Sequence, residues 1–126
     1  MRAIDTNVLL RLATRDDPKQ VAAAEAFVAK GAWVAHLVLA EALWVLASVY
    51  GLRPRDIATA VEMFLNHEHL TIENRGAVAA ALAHYRNRPA LGFSDCLVLE
   101  VARRAGHLPL GTFDRGFSKL DGVQRL

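Results

Sequence analysis

The sequence predicts an α/β fold, a mainly parallel central sheet of about five short strands with helices on both faces. Two observations carry this reading. Short apolar runs of strand length alternate with longer stretches of helical periodicity from one end of the chain to the other. The strand runs are also too short and too apolar for a sheet with one wet face, so both faces must be covered.

Taken in order, Met1-Arg2-Ala3-Ile4-Asp5 reads as a buried strand ending at Asp5, and a helix opens at Thr6 or Asn7. Asp17 is expected to cap the next helix, residues 19–29, with Pro18 in its first turn and Lys30-Gly31 closing it. A second strand follows at 32–35. Residues 37–50 form a strongly apolar helix in which Glu41 is the only ionised side chain, with Trp44 and Val45 assigned to the core. Pro54 opens a helix whose inward face is Val61, Phe64 and Leu65. Residues 68–72 alternate as a third strand, 74–86 are helical, and 87–92 read as a loop. A helix then runs from Phe93-Ser94-Asp95 to Ala105-Gly106, with Ser94 as N-cap and Asp95 in the first turn. A fourth strand at 107–112, a helical turn at 115–119 and a last strand at 123–126 complete the chain.

The 126 residues are expected to form one domain, 1–126, and 53% hydrophobic with 22% charged residues excludes a disordered chain. No apolar run reaches the roughly 18 residues of a membrane span, and Asp5 interrupts the N-terminus too early for a cleavable leader. A cytoplasmic protein with no membrane partner is therefore expected. Cys96 is the single cysteine, set in an apolar helical run, and reads as a buried inert thiol. A net charge of +2 and a pI near 9.0 are compatible with a nucleic-acid partner.

The chemistry lies in the acids. Asp5 and Asp114 each follow a strand, with Thr6 and Thr112 beside them, while Asp95 opens a helix and Glu41 lies about one turn into the helix after the second strand. The carboxyl ends of strands are where open α/β sheets build their sites. Four ionised acids gathered there repel one another, and one or two divalent cations are the natural compensation. All-oxygen ligation suits Mg²⁺ or Mn²⁺, and no Cys/His cluster supports zinc. Such ions activate water for phosphodiester cleavage without a side-chain nucleophile. Against this, an Asp at a helix start is more often a cap than a ligand, which bears on Asp95 and Asp114. Asp5 and Glu41 each interrupt an apolar segment and need a reason to be there. Asp16, Asp17, Asp56 and Asp121 read as caps, Glu25, Glu62, Glu68, Glu73 and Glu100 as solvent-facing, and the 5 histidines as surface residues.

The motifs Ile4-Asp5-Thr6-Asn7-Val8-Leu9-Leu10-Arg11, Leu39-Ala40-Glu41, Phe93-Ser94-Asp95-Cys96-Leu97 and Thr112-Phe113-Asp114-Arg115-Gly116-Phe117 resemble the four acidic motifs of the PIN-domain ribonucleases. The branch most similar is the VapC-type toxins of type II toxin–antitoxin pairs. The resemblance implies a single PIN-like domain, a Mg²⁺- or Mn²⁺-dependent endoribonuclease acting on tRNA or rRNA, and inhibition by a cognate VapB-like antitoxin. It carries the metal-binding and catalytic roles onto Asp5, Glu41, Asp95 and Asp114, with Thr6, Asn7 and Thr112 as supporting residues. It also implies a homodimer, and a hetero-oligomer with the antitoxin. The chain departs from the pattern at His36, Leu37 and Val38, where many relatives carry a Ser or Thr before the second acid. It departs again at Ser94, where a small apolar residue is common.

An RNA substrate needs basic surroundings, for which Arg11, Arg15, Arg86, Arg88, Arg115 and Lys119 are the candidates. The strand bearing Asp5 is expected to be central, flanked by those delivering Glu41 and Asp114. The main rival is a catalytically silent PIN-like module that binds RNA or protein, against which all four acids are present. A phospho-acceptor receiver domain lacks its adjacent acidic pair here, and a haloacid-dehalogenase-type phosphatase wants Asp-x-Asp where this chain has Asp5-Thr6-Asn7.

Overall fold

The computed structural model describes residues 1–126 and is α/β, with six α-helices and parallel strand pairings throughout. The chain divides into two compact units, Met1–Arg75 and Gly76–Leu126.

In the first unit, β1 (Arg2–Ala3), β2 (Ala32–Val34) and β3 (Leu70–Ile72) form a parallel sheet in the order β1-β2-β3, with Ala3 opposite Trp33 and Val34 opposite Ile72. Parallel neighbours require long crossovers. Here each crossover is a helix pair, α1 (Thr6–Thr14) with α2 (Pro18–Val28), then α3 (His36–Ser48) with α4 (Pro54–Asn66). The core is made by Leu9, Val28, Val34, Leu39, Leu46, Val61 and Phe64, all essentially inaccessible. β1 is therefore an edge strand of this sheet rather than its centre, because its two residues pair only with β2 there.

The second unit holds α5 (Arg75–Asn87, beginning at the boundary), a 3-10 turn at Pro89–Leu91 and α6 (Phe93–Ala105). These are followed by β4 (Leu110–Thr112), a second 3-10 turn at Phe117–Lys119 and β5 (Val123–Arg125). β4 and β5 pair in parallel, with Leu110 opposite Val123. Tyr85 and Phe93 meet edge to face, centroids 6.0 Å apart, and Val78, Cys96 and Leu99 are fully buried.

Local signals set some helix ends. Asp17 accepts from the Gln20 N–H at 3.0 Å with Pro18 opening α2, a cap worth about 1 kcal/mol. Gly31 takes φ +91° and donates to the Val28 carbonyl, a conformation other residues adopt at a cost. Ser94 does not cap α6: the N-cap is Gly92 at φ 79°, with no side-chain bond, and Phe93 already lies inside the helix. Segment 87–92, read as a loop, contains the first 3-10 turn.

Four further expectations are corrected. Trp44 is 66% exposed and Val45 only half-buried, because α3 turns Leu39, Ala42, Leu43 and Leu46 inward and leaves the opposite stripe uncovered. Asp16 is not a cap. Its carboxylate receives hydrogen bonds from Thr14 Oγ1 at 2.7 Å and Tyr50 Oη at 3.1 Å, and it pairs with Arg11. Glu100 does not face solvent but is buried, bound by Arg103 Nε at 3.0 Å and His84 Nε2 at 3.1 Å. His84 is thereby a partner of a buried acid rather than a free surface residue.

Candidate functional site

Asp5 and Asp114 each follow a strand and Glu41 lies in the helix after β2, but Asp95 is not at a strand end, because α6 follows α5 and a 3-10 turn. The Ile4 N–H donates to the Trp33 carbonyl at 3.2 Å, extending the β1 pairing to the residue before Asp5. Asp5 is extended at φ −95°, ψ −178° and caps α1, its Oδ1 accepting from the Val8 N–H at 3.1 Å. One oxygen is thus spent on the helix, which fixes the direction of the other. Thr6 begins α1, half-buried, and Asn7 is exposed. Asp5 and Asn7 line a hollow of about 410 Å³ with Val8, Arg11, Gln20 and Phe27.

Glu41 lies in the second turn of α3, exposed, with no hydrogen-bond or ion-pair partner for its carboxylate. Leu37 and Trp44 are exposed one turn either side of it.

In the second unit, Asp95 occupies the first turn of α6, where the helix dipole favours an anion. Asp114 follows β4 in a tightly bonded turn. Thr112 Oγ1 accepts from the Asp114 N–H at 3.1 Å, while Asp114 Oδ1 accepts from the Phe117 N–H at 3.1 Å. Phe117 is buried and holds that turn in place. Thr112 therefore acts on Asp114 through its backbone. Burial, and then the charge of Asp114, push the Asp95 carboxyl above the usual carboxylate range. Burial and the neighbouring Asp95 likewise push the Cys96 thiol up to about 11, so Cys96 is buried and unreactive, as its apolar surroundings imply.

The basic candidates divide. Arg11 is engaged by Asp16, Thr14 and Tyr50, and Arg15 pairs with Glu25 at 2.6 Å, so both spend their charge within the protein. Arg86 lies in the last turn of α5, Arg88 precedes the 3-10 turn and Arg115 follows Asp114, all three exposed.

Within neither unit do three or more His, Cys, Asp or Glu side chains form a group that could hold a metal ion. The donor chemistry nonetheless fits a hard divalent cation. Asp95 and Asp114 offer only carboxylate oxygens, interact as like charges, and have no cationic side chain paired with either.

A profile of the PIN domain matches residues 3–123. The chain belongs to the PIN-domain family. PIN domains are generally metal-dependent nucleases, and those nucleases generally use divalent ions, so the α/β fold seen here is a nuclease-type fold. No curated protein and no solved structure matches the chain. No helix of this PIN domain is long and apolar enough to cross a membrane.

Two acids expected to face solvent, Glu100 and Glu73, do structural work. The burial of Glu100 had a signal: Phe93, Cys96, Leu97 and Glu100 share one helical stripe. The bond from the His36 N–H to Glu73 had none, because His36 lies on a distant segment.

Proposed function

We propose that this PIN domain is a divalent-metal-dependent endoribonuclease that cleaves tRNA or rRNA, acting as the VapC-type toxin of a toxin–antitoxin pair. The supporting observation is Asp95 beside Asp114, two like charges that no side chain of the protein neutralises. Together with Asp5 and Glu41, these are the acids that would hold one or two Mg²⁺ or Mn²⁺ ions. When bound, such an ion supplies an activated water and offsets charge on the phosphodiester.

The chain's own residues do the positioning. The Val8 N–H fixes one oxygen of Asp5, and Thr112 with the Phe117 N–H fixes Asp114. Arg88 and Arg115 are exposed and suited to backbone phosphates, a sequence-independent contact. Arg11 and Arg15 would serve RNA only by leaving Asp16 and Glu25.

The exposed Leu37, Trp44 and Val49 of α3 and its C-terminal end support a homodimer, since an uncovered apolar stripe favours association. An apolar hollow of about 400 Å³ lined by Leu46, Tyr50, Leu52, Ala60 and Met63 is suited to an apolar segment of a VapB-like antitoxin. Charge on the acids would draw a basic antitoxin side chain into competition with the metal.

The test exposes a tRNA and rRNA pool to the protein with Mg²⁺ or Mn²⁺, with and without chelator, beside Asp5→Asn and Asp95→Asn. Cleavage that needs the ion and is lost in both variants is expected. Metal-independent cleavage, or full activity in both variants, sinks the nuclease reading; no cleavage at all favours a silent binding module. A small antitoxin-like reading frame immediately upstream would support the toxin role over a general nuclease.

A further inference from the structure

Helix α3, which carries Glu41, begins without help from its own sequence. Its N-cap is Ala35, extended at φ −65°, ψ 144°, with no side chain able to accept a hydrogen bond. The first N–H groups of a helix have no intrahelical acceptor and need one from elsewhere. The acceptor comes from a different strand. Glu73 Oε1 accepts from the His36 N–H at 3.0 Å across a sequence separation of 37 residues. The same oxygen lies 3.1 Å from His36 Nδ1, a charge contact if the ring is protonated but not aligned as a hydrogen bond.

Glu73 is itself held by the sheet. It follows Ile72, the last residue of β3, and its N–H donates to the Val34 carbonyl at 2.8 Å. The β2–β3 ladder, which pairs Val34 with Ile72, is thereby extended to the residue that carries the cap. A carboxylate presented from a hydrogen-bonded strand end also meets the positive end of the helix dipole.

We propose that Glu73 is a positioning residue for Glu41, an anionic cap delivered from β3 that fixes the first turn of α3 and so the direction of the Glu41 carboxylate. The proposal rests on the nuclease reading, in which Glu41 is one of the acids at the site. The first rung of α3 is the Leu39 N–H on the Ala35 carbonyl at 3.0 Å. Glu41 is only two residues beyond that rung, so fraying of the first turn loosens the backbone on which it is mounted. Leu39 closes the first turn and is fully buried, but His36 and Val38 ahead of it are only half-buried and Leu37 is 73% exposed. Glu73 restrains the helix at His36, ahead of the point where Leu39 packs.

The test compares the full chain with Glu73→Ala, Glu73→Gln and the double variant Glu73→Ala/Ala35→Asp, which places a local cap where the backbone is already extended. Two quantities are read, amide hydrogen exchange across α3 and Mn²⁺-dependent cleavage of a tRNA pool. Glu73→Ala is expected to speed exchange at the His36 amide and lower kcat about five- to tenfold, with KM unchanged. Glu73→Gln retains an acceptor and keeps most of both, and Ala35→Asp restores both. If Glu73→Ala does not fold, Glu73→Ser takes its place. Unchanged exchange at His36 overturns the cap. Faster exchange with an unchanged kcat, or exchange restored by Ala35→Asp without kcat, overturns the link to Glu41. A parent that does not cleave sinks the nuclease reading instead, and the exchange data alone then decide whether Glu73 caps α3.

Discussion

Asp114 stands close enough to Asp95 that its charge adds to burial in holding the Asp95 carboxyl above its ordinary range. Neither acid is paired with a cation of the chain. Ionising Asp95 therefore costs folding free energy that a bound divalent ion would relieve.

An acid whose folded pKa is raised favours the folded state only while protonated, so its penalty appears as pH rises through the carboxylate range. Asp95→Asn removes that penalty. At neutral pH in chelator the variant is expected to melt above the parent while losing RNA cleavage. A lower Tm would show that Asp95 holds the fold through contacts that Asn cannot replace.

Asp16 carries the opposite sign. The Thr14 hydroxyl first, then Arg11, with a smaller contribution from the Tyr50 hydroxyl, hold its carboxyl down at about 2 against an ordinary 3.8. Its contribution is complete above about 3.8 and is lost as pH falls through about 2. Asp16→Asn should be less stable than the parent at neutral pH, with the gap closing across that window. Urea midpoints measured against pH check this, and a gap that persists unchanged to pH 2 contradicts it.

Glu100 is a buried charge with defined partners. Burial pushes its carboxyl up, but hydrogen bonds from Arg103 and His84 outweigh that and leave it below the usual range. Arg103 also donates to the Asp121 carbonyl at 2.7 Å, tying α6 to the turn before β5. Arg103→Ala is expected to cost about 2 kcal/mol in denaturant unfolding. Glu100→Gln, which retains an acceptor, is expected to cost less.

The thiol of Cys96, fully buried and held at about 11, should resist iodoacetamide at neutral pH until the protein unfolds. Mass spectrometry of alkylated protein across a urea series reads this directly. Modification of the native chain at the rate of a free thiol would contradict the burial of α6.

Much of this was legible in the sequence because it depends on local chemistry. Asp17 before Pro18, Gly31 after α2 and Pro54 opening α4 all act where their own residue types predict. The placement of Asp5, Glu41 and Asp114 follows from strand and helix alternation, whereas Asp95 opens a helix that follows another helix, with no strand before it. What failed depends on neighbours distant in the chain. α3 is apolar nearly all round, so composition could not say that Leu39 and Leu46 turn inward while Trp44 stays out. Strand order is also non-local, and β1 is an edge strand of two exposed residues, Arg2 and Ala3, rather than the buried strand expected there. Glu73 reads as a solvated acid until β3 brings it to His36.

The most direct test is the rate of Mn²⁺-dependent RNA cleavage for Asp5→Asn, Glu41→Gln, Asp95→Asn and Asp114→Asn, each beside the parent at equal folded concentration. Loss of at least about a hundredfold in every variant, with parent cleavage abolished by chelator, is the predicted result. Any one of the four cleaving at the parent rate, or a parent indifferent to chelator, would contradict it.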